Sequence, residues 1–232
     1  MSTGIPTDRE PVAPPPGVEL LWSGRVADHT EDALAHRHLL DAEESKRLDG
    51  FFRPADRDAY AVAHVALRRI LGERLGLAPE EVAMDREPCA HCGGPHGRPV
   101  VPGGEVHFSL SHTSGMVLLA LASAPVGVDV EIVPNAGTIT DVAAQLHPRE
   151  RAELAALPAG ERAFGFTRCW TRKEAVLKAA GVGLSEDVSV TYVGAGPRPA
   201  ELTDWLLADL PVDTGYAAAV AVRADGPDVR LP

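Results

Sequence analysis

The stretch Gly127-Val128-Asp129-Val130-Glu131 sets two acids two residues apart in an otherwise apolar run. In a strand that spacing sends Asp129 and Glu131 to one face and Val128, Val130 and Ile132 to the other. Neighbouring carboxylates on a sheet repel unless a cation stands between them. A hard divalent ion such as Mg²⁺ meets that need with one or two protein carboxylates, water and phosphate completing its shell. About 40 residues further on, WTRKEAVLKAAGVGL (Trp170 to Leu184) has helical spacing. Trp170, Lys173, Glu174, Leu177, Lys178 and Gly181 fall on one connected i, i+3, i+4 track, and the glycines stop the helix. An ordinary Glu174–Lys178 surface pair beside a Trp170–Leu177 core contact accounts for such a helix taken alone. Next to a two-acid strand, the same helix offers a third carboxylate and a phosphate-binding ammonium.

Two further stretches have chemistry-bearing residues. In FSLSHTSG, Ser111, His112 and Thr113 are expected where a strand breaks into a turn, a place where hydroxyls, an imidazole and backbone N–H groups converge on an anion. A turn capped by its own Ser and Thr is the plainer account; a Ser-His neighbour pair without a G-x-S-x-G elbow does not make a triad. In PCAHCGGPHGRPVV, Cys89-x-x-Cys92 with His91 and His96 has part of the spacing of a zinc site, but no second C-x-x-C or H-x3-H supplies four ligands. We read it as a glycine-rich turn presenting Arg98.

The elements that must position these residues follow from composition and period. With 232 residues, 45% apolar and 24% charged, the chain can bury a sizeable core. Twenty prolines and 22 glycines favour many short elements over a long bundle. A net charge of -11 argues against general affinity for nucleic acid or anionic membrane. Three cysteines without an apolar secretory segment read as reduced thiols in the cytoplasm, and no apolar run reaches membrane-spanning length.

Residues 1–17 read as a flexible, proline-rich arm and VELLWSGRV as a strand. DAEESKRLDGF reads as a helix, and PADRDAYAVAHVALRRILGERLGL as a longer one with Tyr60, His64, Leu67, Leu71 and Leu75 at helical spacing, His64 being an ordinary helix-face histidine. VHFSLS, MVLLALA and VGVDVEI follow as three strands. Helices are expected near Asp141–Gln145 and Pro148–Leu157, and the last strands in DVSVTYV and GYAAAVAVRA. Each half thus holds short strands and a long helix, which predicts two α+β halves at residues 18–124 and 125–232.

Together these stretches resemble the Sfp-type 4'-phosphopantetheinyl transferases from about Glu43 to about Val222. The hallmarks are G-x-D-x-E, here GVDVE at 127–131, and W-x-x-K-E-(A/S)-x-x-K running into G-x-G-L, here residues 170–184. Upstream, F-x-x-S-H-S is FSLSHT at 108–113 and G-(K/R)-P is Gly97-Arg98-Pro99. Each motif alone is weak, but their order and spacing together are specific. The resemblance implies two similar subdomains related by a pseudo-twofold, each a small mainly antiparallel sheet packed with a long helix, with coenzyme A in the cleft between them. It implies transfer of the phosphopantetheine arm to a serine of an acyl or peptidyl carrier protein, leaving adenosine 3',5'-bisphosphate. Asp129, Glu131 and Glu174 match the family's magnesium ligands, with Mn²⁺ as an alternative ion. Lys178 matches the lysine that meets the diphosphate. Ser111, His112 and Arg98 match residues that hold the nucleotide phosphates, and Lys173 looks like part of the same surface. Where the family often has an arginine this chain has Ala59, so the cation for the 3'-phosphate falls to Arg57 or Arg53, with Lys46 and Arg47 as a basic pair near the nucleotide. Thr113 replaces a serine.

Phosphoryl transfer needs charge neutralisation and positioning more than covalent help, which suits this set. Glu174, directly or through a metal-held water, would take the proton of the carrier serine, and Lys178 with Mg²⁺ would stabilise the charge on the departing bisphosphate. A metal-dependent phosphohydrolase or nuclease is the rival from another class, set back by the acidic balance; a non-catalytic coenzyme A-binding module has no use for three carboxylates. A monomer is expected. Because carrier proteins are usually acidic, as this chain is, recognition is expected through an apolar patch with local arginines, Arg149 and Arg151 of LHPRERAELAAL among them.

Overall fold

The computed structural model describes residues 16–89, 92–94, 97–104, 106–135, 143–183 and 187–224. The expected arm is outside that set up to residue 15, as are Asp141 and Val142 of the helix expected at Asp141–Gln145, together with His91 and His96. Strand β1 (Val18–Arg25) passes directly into helix α1 (Val26–Ala35), which the sequence reading does not anticipate. Helix α2 (Ala42–Asp49) opens with a capping box, Asp41 accepting from Glu44 N while Glu44 accepts from Asp41 N, as the D-x-x-E spacing dictates. Helix α3 (Pro54–Leu75) starts at a proline and stops at Gly76, whose φ of +68° suits a residue without Cβ.

The short pair β2 (Asp85–Arg86) and β3 (Pro99–Val100) brackets the Cys89–Cys92 turn, closed by Gly93 N donating to Cys89 O and Cys89 N to Gly94 O. Then come β4 (His107–Thr113), β5 (Met116–Ala122) and β6 (Val126–Ile132), as the alternating runs predict. Helices α4 (Pro148–Ala156) and α5 (Arg162–Ala180) follow, α5 beginning eight residues before the motif. The chain ends in β7 (Trp205–Asp209) and β8 (Tyr216–Arg223). DVSVTYV is not a strand: side chains hold it, Val193 N donating to Glu150 and Thr191 O accepting from Lys173, so no ladder forms there and Trp205–Asp209 pairs with β8 instead.

The result is an α+β fold with two three-stranded antiparallel sheets, ordered β1-β5-β4 and β6-β8-β7. Each places its last strand in the centre and its first and second at the edges. One core lies between α3 and the first sheet (Leu67, Leu71, Val117, Leu119), and another between α5 and the second (Ala175, Ala179, Ala219, Ala221). A third fills the space between the sheets with Leu118, Ala120, Val128, Val130 and Val220. Each such side chain taken fully out of water contributes about 1.5–3 kcal/mol if it is Val or Leu. No described helix is long and apolar enough to cross a membrane.

Candidate active site

Gly127 is what lets the two motifs meet. A Cβ there would lie 2.0 Å from Ala175 O and 2.5 Å from Ala179 N, so α5 crosses β6 on bare backbone. The strand alternation turns Asp129 and Glu131 to the same face as Gly127, and one turn of α5 brings Glu174 and Lys178 alongside. Lys178 Nζ donates to Asp129 Oδ1 at 2.7 Å, to Val128 O at 3.1 Å and to Ser111 Oγ at 3.1 Å. Lys178 therefore turns to the strand rather than to Glu174.

Asp129 is 3% exposed, and its second oxygen, Oδ2, is buried with no hydrogen-bond partner. Desolvation, then the Asp129 charge, raises Glu131 to about 7, with Lys178 only partly opposing. The same two causes raise Glu174. Three carboxylates sharing one ammonium, with an orphaned buried oxygen among them, form an all-oxygen donor set short of positive charge. That fits a hard divalent cation, with Asp129, Glu131 and Glu174 as the residues that would hold it. Among the described residues, no group of three or more acids, histidines or cysteines is drawn together closely enough to hold a metal ion as it stands.

Beside this head runs a cleft of about 700 Å³, whose lining includes Arg47, Tyr60, His64, Arg86, Arg98 and Lys178. His64 stacks on Tyr60 at 3.9 Å and pairs through Nδ1 with Glu44 Oε1 at 2.8 Å. Tyr60 in turn lies under Arg47 and edge-on to His112. Desolvation and the acids around Glu44 push the Tyr60 hydroxyl up to about 12. Arg98 spans the two halves, donating to Ala179 O and Glu87 Oε1; its Nε is 2.7 Å from Glu87 Oε2 as an ion pair but is not aligned for a hydrogen bond.

The region of the acidic strand and helix, residues 125–221, matches the family described as the 4'-phosphopantetheinyl transferase superfamily. The chain is 31% identical over 196 residues to the 4'-phosphopantetheinyl transferase HetI of Nostoc sp., covering 81% of this chain and 80% of that protein. It belongs to the 4'-phosphopantetheinyl transferases. Similarity extends to 4'-phosphopantetheinyl transferase Sfp of Bacillus subtilis, 28% identical over 204 residues with 82% and 90% of the two chains covered. A phosphopantetheinyl transferase of Thraustochytrium sp. is 30% identical over 191 residues, with 74% and 63% covered.

Within this transferase several expected roles are redistributed. Lys173 is not on a phosphate surface: it is 2% exposed, ion-paired with the fully buried Glu150 at 2.8 Å and donating to Thr191 O, because α5 turns that face toward α4 and the 187–193 segment. Arg57 does not line the cleft; it pairs with Asp58 and borders a separate hollow with Leu34, Leu48 and Phe51. Arg53, ahead of α3, and Lys46 are exposed and also outside the cleft lining, where Arg47 and Arg86 stand instead. Ala59 is packed into the first core, with no room for an arginine. Ser111, His112 and Thr113 do not form a turn: they end β4, and the turn is Ser114-Gly115. The Ser111 hydroxyl is already committed, donating to Asp129 Oδ1 and accepting from Lys178 and Val130 N, so it positions the acid rather than standing free for phosphate. His112 is exposed as a whole, yet desolvation of its ring and then the charges of His64, Lys178 and Arg47 lower its pKa to about 4, leaving a neutral imidazole. Arg149 lies over the Tyr192 ring at 3.9 Å, and Arg151 donates to Ala144 O.

Of the basic pair expected near the nucleotide, Arg47 lines the cleft and Lys46 does not; sequence reasoning missed Tyr60 as the platform of Arg47 and His64 as more than a helix-face residue. The available signal was the D-x-x-E capping box: Glu44, one turn into α2, is also the partner of His64 and Arg68 on α3.

Proposed function

We propose that this transferase moves the 4'-phosphopantetheine arm of coenzyme A onto a serine of acyl or peptidyl carrier proteins of polyketide, nonribosomal peptide or fatty acid synthesis, releasing adenosine 3',5'-bisphosphate. The observation that carries the reading is the Lys178–Asp129 contact at the head of the cleft, where one ammonium faces three carboxylates that need more positive charge. Bound to Asp129, Glu131 and Glu174, Mg²⁺ or Mn²⁺ would neutralise diphosphate charge. The raised Glu174 carboxylate takes the proton of the carrier serine as its oxygen attacks the phosphorus bearing the pantetheine. That phosphorus–oxygen bond forms as the bond to the adenosine bisphosphate breaks, and the Lys178 ammonium stabilises the negative charge the leaving group takes away. Arg98 and Arg47 hold the nucleotide along the cleft, and neutral His112 serves as a hydrogen-bonding group. Residues 18–124 and 125–232 are the two halves in this reading, and their matching strand orders support a pseudo-twofold relation. The enzyme is taken to act as a cytoplasmic monomer.

Intact-mass analysis of several apo carrier proteins, incubated with coenzyme A, Mg²⁺ and the enzyme, tests this directly. A mass gain of one phosphopantetheine arm is expected on at least one carrier, and Glu174→Gln should abolish it while remaining folded. Release of the bisphosphate without any carrier, or near-normal turnover by Glu174→Gln, would refute the assignment.

A further inference from the structure

The edges of the two sheets meet at β4 and β6 without a backbone ladder. In its place, Ser109 Oγ accepts from Val128 N at 3.0 Å and Ser111 Oγ from Val130 N at 3.3 Å. Both serines are 6% exposed and, through their register with Ala120 and Leu118, belong to the apolar face between the sheets. A hydroxyl is costly in such a layer unless it is hydrogen-bonded, and here both are spent on β6. Because hydroxyls replace strand carbonyls, the two edges stand one side chain apart, and Lys178 Nζ enters this seam to reach Val128 O.

We infer that Ser109 is a positioning residue for the transfer reaction: by holding Val128 N it fixes the residue whose own carbonyl, in the next peptide unit, receives Lys178, and so sets Lys178 against Asp129. The backbone around Asp129 is then pinned at Val128 N by Ser109, at Val128 O by Lys178 and at Val130 N by Ser111, while β8 holds the opposite edge of β6. Ser109 lines the cleft, but its Oγ accepts from Val128 N and it makes no hydrogen bond to a carboxylate or to Lys178 among the described residues; it acts through the strand. The inference rests on the reading of Asp129 and Lys178 given above.

The test compares Ser109→Ala with Ser109→Thr by amide hydrogen exchange, thermal melting and steady-state transfer to an apo carrier. In Ser109→Ala the Val128 amide should exchange about tenfold faster, the scale of one buried hydrogen bond. The turnover number kcat should fall about tenfold or more while KM for coenzyme A stays within about twofold, since a small displacement of a reacting group acts on the chemical step. Ser109→Thr, which keeps the oxygen, should recover both. Should Ser109→Ala fail to fold, Ser109→Cys, a weaker acceptor of similar size, is expected to show intermediate exchange and intermediate kcat. Faster exchange at Val128 with unchanged kcat would reduce the serine to a structural role and overturn the inference, as would a loss of kcat that Ser109→Thr does not recover. A wild-type enzyme that transfers nothing overturns the functional reading itself, whereas an active wild type matched by Ser109→Ala overturns only this inference.

Discussion

Lys178 Nζ stands 2.7 Å from Asp129 Oδ1, joining the end of α5 to the middle of β6 in a site where Asp129 is nearly sealed and Lys178 about one-third open. This contact couples the two sequence motifs physically, and it divides the surrounding residues into those that serve the reaction and those that hold the frame.

Replacing the ammonium tests the first group. Lys178→Met leaves Asp129 buried beside two other carboxylates. Transfer should fall by about 100-fold or more, the usual effect of deleting one preorganised electrostatic contact. Stability should drop by only about 1–2 kcal/mol, because the exposed part of Lys178 is screened by water. Carrier mass analysis and urea unfolding of the same preparation measure the two effects.

Lys173 should behave in the opposite way. Lys173→Met strands Glu150, which is fully buried, so a loss of about 3–5 kcal/mol is expected. Since Lys173 faces α4 and not the cleft, KM for coenzyme A in the remaining folded enzyme should stay within about twofold, the smaller change expected of a residue outside the binding surface. Urea midpoints and substrate titration below the melting temperature separate the two outcomes.

The crossing of α5 over β6 depends on a missing side chain. Gly127→Ala puts a methyl group against Ala175 O and Ala179 N, both backbone atoms that cannot swing aside. A cost of about 1–3 kcal/mol is expected, together with a loss of transfer as Glu174 and Lys178 are pushed off Asp129. A lowered Tm with unchanged activity would show that α5 can shift without disturbing the site.

Acid sensitivity should trace to Glu44. Burial alone would raise its pKa, but the His64 bond, the Asp41 amide and Arg68 outweigh burial and hold it below the usual carboxylate value. A lowered folded pKa means that the stabilisation is complete at neutral pH, starts to decline below the ordinary carboxylate range near pH 4, and is lost as pH falls through the folded value. Glu44→Gln should therefore be less stable than wild type at pH 7, by about 3 kcal/mol since Arg68 is buried. The gap should close as pH falls toward 3. Urea midpoints between pH 7 and pH 3 follow it.

How far the sequence reaches is clearest at particular residues. GVDVE and WTRKEAVLK identify a strand and a helix by period alone, and the two-residue step of Asp129 and Glu131 already places them on one face. Short-range rules also give the capping box at Asp41 and Glu44 and the stop at Gly76. The alternation of FSLS misleads: Ser109 and Ser111 have the pattern of a solvent-facing edge, yet they are buried between two sheets, because period reports which residues share a face and not what covers it. Lys173 fails for the same reason. Its helical neighbours place it near Glu174, but only the packing of α4 against α5 supplies Glu150 as its partner. The sequence by itself determined β1, β4, β5, β6 and β8, the long helices and the residue types of the site, but not β7. Only the tertiary structure decided which charges meet, since an ion pair such as Lys178 with Asp129 joins residues 49 positions apart and depends on how closely α5 approaches β6.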